Sequence, residues 1–178
     1  LTLVRMGIMT FADDEDLGQV HDRLQTALER KLGFMREQNP FELLEVHWTS
    51  RTSQVEAGYH RMRREYENFA RGAKLAPDLE KLRLEILAHI ERAYEVLHET
   101  DRRREERKKY YEPQQHEFSA DLLFRQGEML MVRSAWDEVI DSFERAIELE
   151  PNVAKYRQFL AQAKARKAGG TRGPAAED

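Results

Sequence analysis

An all-α fold is predicted by three features of the sequence. Apolar residues recur at spacings of three and four, and glycine and proline are few and gather between those periodic stretches. Glutamate, arginine, leucine and alanine, which favour helices, fill the space between. The 178 residues are enough for two small helical units that bury cores without metals or disulfides. Cysteine is absent, which excludes disulfides, thiol nucleophiles and cysteine-held zinc or iron–sulfur clusters, and fits a cytoplasmic setting. No apolar run approaches the roughly 20 residues that cross a bilayer, and the opening residues lack a signal-peptide pattern. The net charge of −4 is spread over both signs, the pattern of a solvated helical surface rather than of a nucleic-acid-binding field. Neither a membrane nor a nucleic acid is therefore an expected partner.

Each helix has its own signals. Residues 1–12 are an apolar stretch, read as the remnant of a preceding domain. The acids Asp13, Asp14, Glu15 and Asp16 suit a helix N-terminus, and Leu17, Val20, Leu24, Leu28, Leu32 and Met35 make 13–37 an amphipathic helix. Its stripe is too short for a coiled coil, so packing on the next domain is expected. Asn39-Pro40 opens a short helix carrying Phe41, Leu43, Leu44 and Val46. A second begins among residues 50–53 and turns Val55, Tyr59, Met62 and Tyr66 inward, leaving Arg61, Arg63, Arg64 and Glu65 in water. After Gly72 and Pro77, a third is defined by Leu79, Leu82, Ile86, Ile90, Ala93 and Leu97. The run from Arg102 to Lys109 is purely charged and reads as a solvated helical continuation. Pro113 with Gln114, Gln115 and His116 reads as a linker. Residues 118–132 and 136–149 then form an antiparallel hairpin that turns at Arg133-Ser134. Pro151 opens a last helix through Lys167, with Val153, Tyr156, Leu160 and Ala163 inward, and 169–178 reads as a disordered tail.

Three stretches in order carry a resemblance. They are Phe41-Glu42-Leu43-Leu44-Glu45-Val46, then Val55-Glu56-Ala57-Gly58-Tyr59-His60-Arg61-Met62, then Ile90-Glu91-Arg92-Ala93-Tyr94-Glu95-Val96-Leu97. Through them the segment 38–111 resembles a J-domain, the co-chaperone module that stimulates ATP hydrolysis by DnaK-type chaperones. Where that family places the His-Pro-Asp loop, this chain has Glu67, Asn68 and Phe69, and Glu45 stands at a usual glycine. Proline's fixed backbone, a titratable donor and a carboxylate are all replaced there, so the resemblance implies the helices and a degenerate loop. The basic residues Arg61, Arg63 and Arg64 fall on the helix that carries the docking face in J-domains.

Gly127, Leu130, Phe143, Ala146 and Pro151 lie at the offsets of one tetratricopeptide unit, so 114–168 resembles such a hairpin with a capping helix. That similarity implies a small Gly127 that lets the second helix approach, Phe143 filling the gap, and a concave face bearing Phe124, Glu128 and Met131 as a peptide groove. Burial of that face against the J-like domain is the alternative. A lone repeat leaves its faces uncovered, so packing on the J-like part, self-association or a longer array is expected. This domain order resembles the distal part of multidomain bacterial regulatory proteins.

No Gly-x-Ser-x-Gly elbow, phosphate-cradling loop or dinucleotide fingerprint occurs. Glu85 and His89 stand four apart on a helix without a third ligand, so an ordinary helical pair is expected rather than a metal site. The expectation is a non-catalytic interaction scaffold or adaptor without cofactor or metal, whose partner is another protein or peptide. The alternative is a co-chaperone that acts on a DnaK-type ATPase through an altered loop.

Overall fold

The computed structural model describes residues 14–69 and 75–170, so the readings for 1–12 and for most of the tail lie outside the described residues. Within them are eight α-helices and no strand. The described residues divide into two compact units: one takes those up to Trp48 and those within Thr52–Glu99, the other takes Thr49–Arg51 and those from Thr100 onward.

The first unit holds α1 (Asp14–Glu37), α2 (Pro40–Leu43), α3 (Thr52–Glu67) and α4 (Pro77–Leu97). The helix α4 is its axis, since α1, α2 and α3 all pack on it. Of its predicted inward residues, Leu79, Ile86, Ile90, Ala93 and Leu97 are buried and Leu82 is half-buried; in α1 Leu28, Leu32 and Met35 are buried and Val20 and Leu24 half-buried, and Val55, Tyr59, Met62 and Tyr66 of α3 are buried. The entry to α2 is a capping box: Asn39 Oδ1 accepts from Phe41 N at 3.0 Å and Glu42 N at 3.1 Å, while Glu42 accepts from Asn39 N at 3.1 Å. The turn that follows places Glu45 at φ 53°, a left-handed conformation that side chains disfavour. Arg61 offsets that strain by donating to the carbonyls of Leu44 and Glu45, each at 3.1 Å.

Gly58 lets α3 pass directly over this turn. A Cβ there would sit 2.8 Å from Leu44 O and closer still to Val46. Because one obstacle is backbone, Gly58→Ala is expected to destabilise the first unit by about 1–3 kcal/mol in urea melts, despite alanine's better helix propensity.

The second unit holds α5 (Thr100–Tyr110), α6 (Pro113–Val132), α7 (Trp136–Leu149) and α8 (Ala154–Gly170), and here α7 is the axis for the other three. The α6–α7 turn places Ser134 at φ 56°. Phe143 of α7 lies over Gly127 of α6, where a Cβ would meet the ring's Cδ1 at 2.7 Å. Phe124 sits between them and α8: its ring is 5.3 Å from Phe143, 4.9 Å from Tyr156 and 5.0 Å from Phe159.

Three expectations are corrected. Residues 113–116 are not a linker but the first turn of α6, because Pro113 takes the first helical position and Gln115 accepts from Glu112 N at 2.8 Å. His116 is accordingly buried. Pro151 and Asn152 form a turn, and the last helix begins at Ala154. The charged run is not wholly solvated, since Arg103, Glu106 and Arg107 of α5 are buried.

Candidate interaction surfaces

On the first unit, Arg61, Arg63 and Arg64 line the outside of α3 and are exposed, as their spacing requires. Arg63 bonds Glu67 at 2.6 Å, reaches the Tyr59 hydroxyl and lies 3.8 Å from Glu91. Tyr59 in turn donates to Glu91 at 2.8 Å and stacks on Tyr94 with ring centroids 4.1 Å apart. Burial and the neighbouring Glu91 carboxylate hold its hydroxyl above the usual tyrosine range. Arg64 makes no ion pair among the described residues.

Glu67, Asn68 and Phe69 end α3 without breaking its hydrogen bonding. Asn68 N donates to Arg64 O at 3.1 Å and Phe69 N to Tyr66 O at 3.4 Å. Arg83 of α4 donates to the same Tyr66 carbonyl at 3.2 Å, so the helix end is tied down from the neighbouring helix. Glu67 is committed to Arg63, Asn68 is exposed and Phe69 is half-buried.

On the second unit, the proposed trio separates. Phe124 is buried under α8, and Lys155 lies 4.3 Å above its ring, so it lines no open groove. Glu128 and Met131 are half-buried. The open face of α6 lies on the opposite side from the Leu123–Gly127 packing face. There Phe118, Leu122, Met129 and Val132 are 71%, 57%, 67% and 88% exposed. Arg125 stands in the middle of this row, bonded to Asp121 at 2.7 Å. Glu117, Asp121 and Glu128 follow one edge. Four large apolar side chains in line on a solvent face are more than scattered surface hydrophobics, and burying each is worth roughly 1.5–3 kcal/mol. No protein-family model matches the chain, and no curated protein or solved structure matches it either. The row was present in the sequence as apolar residues at 118, 122, 129 and 132, a second helical period out of phase with Ala120, Leu123 and Gly127.

A polar cluster lies inside the second unit. Glu148 Oε1 accepts from Arg103 Nε at 2.6 Å and from Arg107 Nη1 at 2.8 Å, and Arg107 Nη2 donates to Ser50 O at 2.7 Å. Arg104 Nε donates to the Glu148 carbonyl at 3.1 Å. Thr49 accepts from Arg145, while Arg51 pairs with Asp141 at 2.7 Å and with Glu144. The short segment Thr49–Arg51 is thereby clipped to α5 and α7. Burial pushes the Glu148 carboxyl upward, but the two guanidiniums outweigh it and hold the group below the usual carboxylate range. Burial pulls Arg107 below its ordinary value against the pull of Glu148. This arrangement pairs charges that the fold buries.

His116 also titrates below its ordinary value, chiefly through burial, with Arg107 and Lys108 adding to the effect. As pH falls below about 6.5 the unfolded chain takes up this proton before the folded one, so stability is highest above that pH and declines as pH falls through the folded value. The Glu148 contribution is present above the ordinary carboxylate value and is lost as pH falls through its depressed folded value. Urea midpoints measured from pH 7.5 to 5 are therefore expected to fall, with a shallower slope in His116→Gln.

Glu85 and His89 are accounted for within the helical framework: Arg36 bonds Glu85 at 2.6 Å, and His89 Nδ1 lies 2.9 Å from Glu85 O. Among the described residues no group of three His, Cys, Asp or Glu is placed to hold a metal, and no helix is long and apolar enough to cross a membrane.

Proposed function

We propose that this chain is a non-catalytic protein–protein interaction module, a scaffold or adaptor of a larger cytoplasmic bacterial regulatory protein. Its segment 38–111 is read as a degenerate J-like domain and its segment 114–168 as a tetratricopeptide-like hairpin with a capping helix. The observation that carries the reading is the row Phe118, Leu122, Met129 and Val132 on the open face of α6. A surface of this kind lowers its free energy by docking against another apolar face.

Two local features support the family resemblance. Glu45 holds a left-handed conformation where J-domains carry glycine, and Phe143 fills the space over Gly127. The loop supports the loss of chaperone stimulation, because Glu67 is a carboxylate bonded to Arg63 where the family has a histidine. Immobilised wild-type chain and a Leu122→Ser/Met129→Ser variant decide the matter. Both substitutions fall on exposed positions, so the fold is expected to persist, while proteins retained by the wild type are lost from the variant. Retention that is identical for both would contradict the reading.

A further inference from the structure

We propose that the open face of α6 docks an amphipathic helix of a different protein, one that sets a carboxylate against Arg125 and basic side chains along the edge of Asp121 and Glu128. The inference rests on the interaction-module reading and specifies its partner. Phe118, Leu122, Arg125, Met129 and Val132 follow one another at spacings of four, three, four and three, the seam of a heptad repeat, and a helix is the element whose side chains mesh with such a seam. Asp121 and Glu128 precede Leu122 and Met129 and so flank the seam on one side, with Glu117 continuing that edge. Gln126 and Arg133 flank it on the other side.

Charge then selects among occupants. A second copy brings Arg125 against its own counterpart in either twofold arrangement, because Arg125 is the middle member of the row. An antiparallel copy also lays the Asp121 and Glu128 edge on the same acidic edge, since a twofold axis between antiparallel helices pairs like flanks. Like charges facing each other across a desolvated seam repel, and that repulsion is what excludes wrong partners. Arg125 already bonds Asp121, and a partner carboxylate at the seam completes its fork of donors as water leaves. Cationic side chains on the partner answer the acids left on the edge. The acidity of this side reaches beyond α6: Glu117 lies near enough to Glu150 to raise its carboxyl, second to burial.

The test uses the whole chain and two labelled three-heptad helical peptides. Both carry leucine along the seam. One has a central glutamate and lysine edges, the other a central lysine and glutamate edges. Fluorescence anisotropy is expected to show the first bound about tenfold or more tighter, weakening with salt, and Arg125→Glu is expected to shift preference toward the second. Leu122→Ser is expected to abolish binding of both. Equal affinity for the two peptides overturns the charge selection while leaving α6 a binding face. Reversible dimerisation in sedimentation, abolished by Leu122→Ser, overturns it in favour of a second copy. Failure of both peptides to bind overturns both this inference and the reading of α6 as an interaction surface.

Discussion

Replacing Glu148 by alanine is expected to destabilise the second unit by about 3–5 kcal/mol, the effect of breaking a buried ion pair by removing one partner. Arg103 and Arg107 are withdrawn from water, and both bond the same carboxylate oxygen. Removing it takes the shared carboxylate from two buried guanidiniums, and the neutral acceptors Ser50 O for Arg107 and Thr100 Oγ1 for Arg103 do not replace its charge. The size of the loss measures the penalty of removing one side of a buried ion pair rather than the worth of the pair. A combined Arg103→Met, Arg107→Met, Glu148→Leu variant is accordingly expected to lose much less than Glu148→Ala alone, because apolar side chains of similar volume need no partner. Urea denaturation of the two variants checks this, and an equal or greater loss in the triple variant contradicts it.

Phe124→Ala is expected to remove about 3–5 kcal/mol through the cavity it leaves among Phe143, Tyr156 and Phe159. Phe118→Ala, on the same helix, is expected to change stability by no more than about 0.5 kcal/mol, because that ring is 71% exposed. The two phenylalanines therefore separate packing from recognition within one helix. A binding defect in the first reports unfolding, whereas one in the second reports the surface. Thermal denaturation followed by circular dichroism distinguishes them, and similar losses at the two positions contradict the placement of α6.

Helix positions were legible in the sequence wherever one apolar stripe met one polar face. Leu79, Leu82, Ile86, Ile90, Ala93 and Leu97 repeat every three or four residues, and that periodicity identifies the inward side of α4, on which all but the half-buried Leu82 are buried. The inward residues of α5 were not legible, because nothing in the run from Arg102 to Lys109 distinguishes Arg103 and Arg107 from their neighbours. Their burial depends on Glu148, more than forty residues further along the chain. The α6 surfaces failed to separate for a related reason. That helix is apolar on more than one side, and the side bearing Phe124 is closed by Lys155, Tyr156 and Phe159, which arrive with α8. Periodicity reports that a face is apolar; which face is covered is settled by helices elsewhere in the chain. Pro113 illustrates the same ambiguity locally, since proline ends one helix or opens the next, and Gln115 capping Glu112 N decides for opening.

Single-turnover ATP hydrolysis by a DnaK-type chaperone, measured with and without this chain, tests the binding-only account most directly. The expected result is an unchanged hydrolysis rate, both for the wild type and for a variant with Glu67, Asn68 and Phe69 replaced by alanine. Acceleration by the wild type that disappears in the alanine variant would establish a working co-chaperone loop and contradict the account.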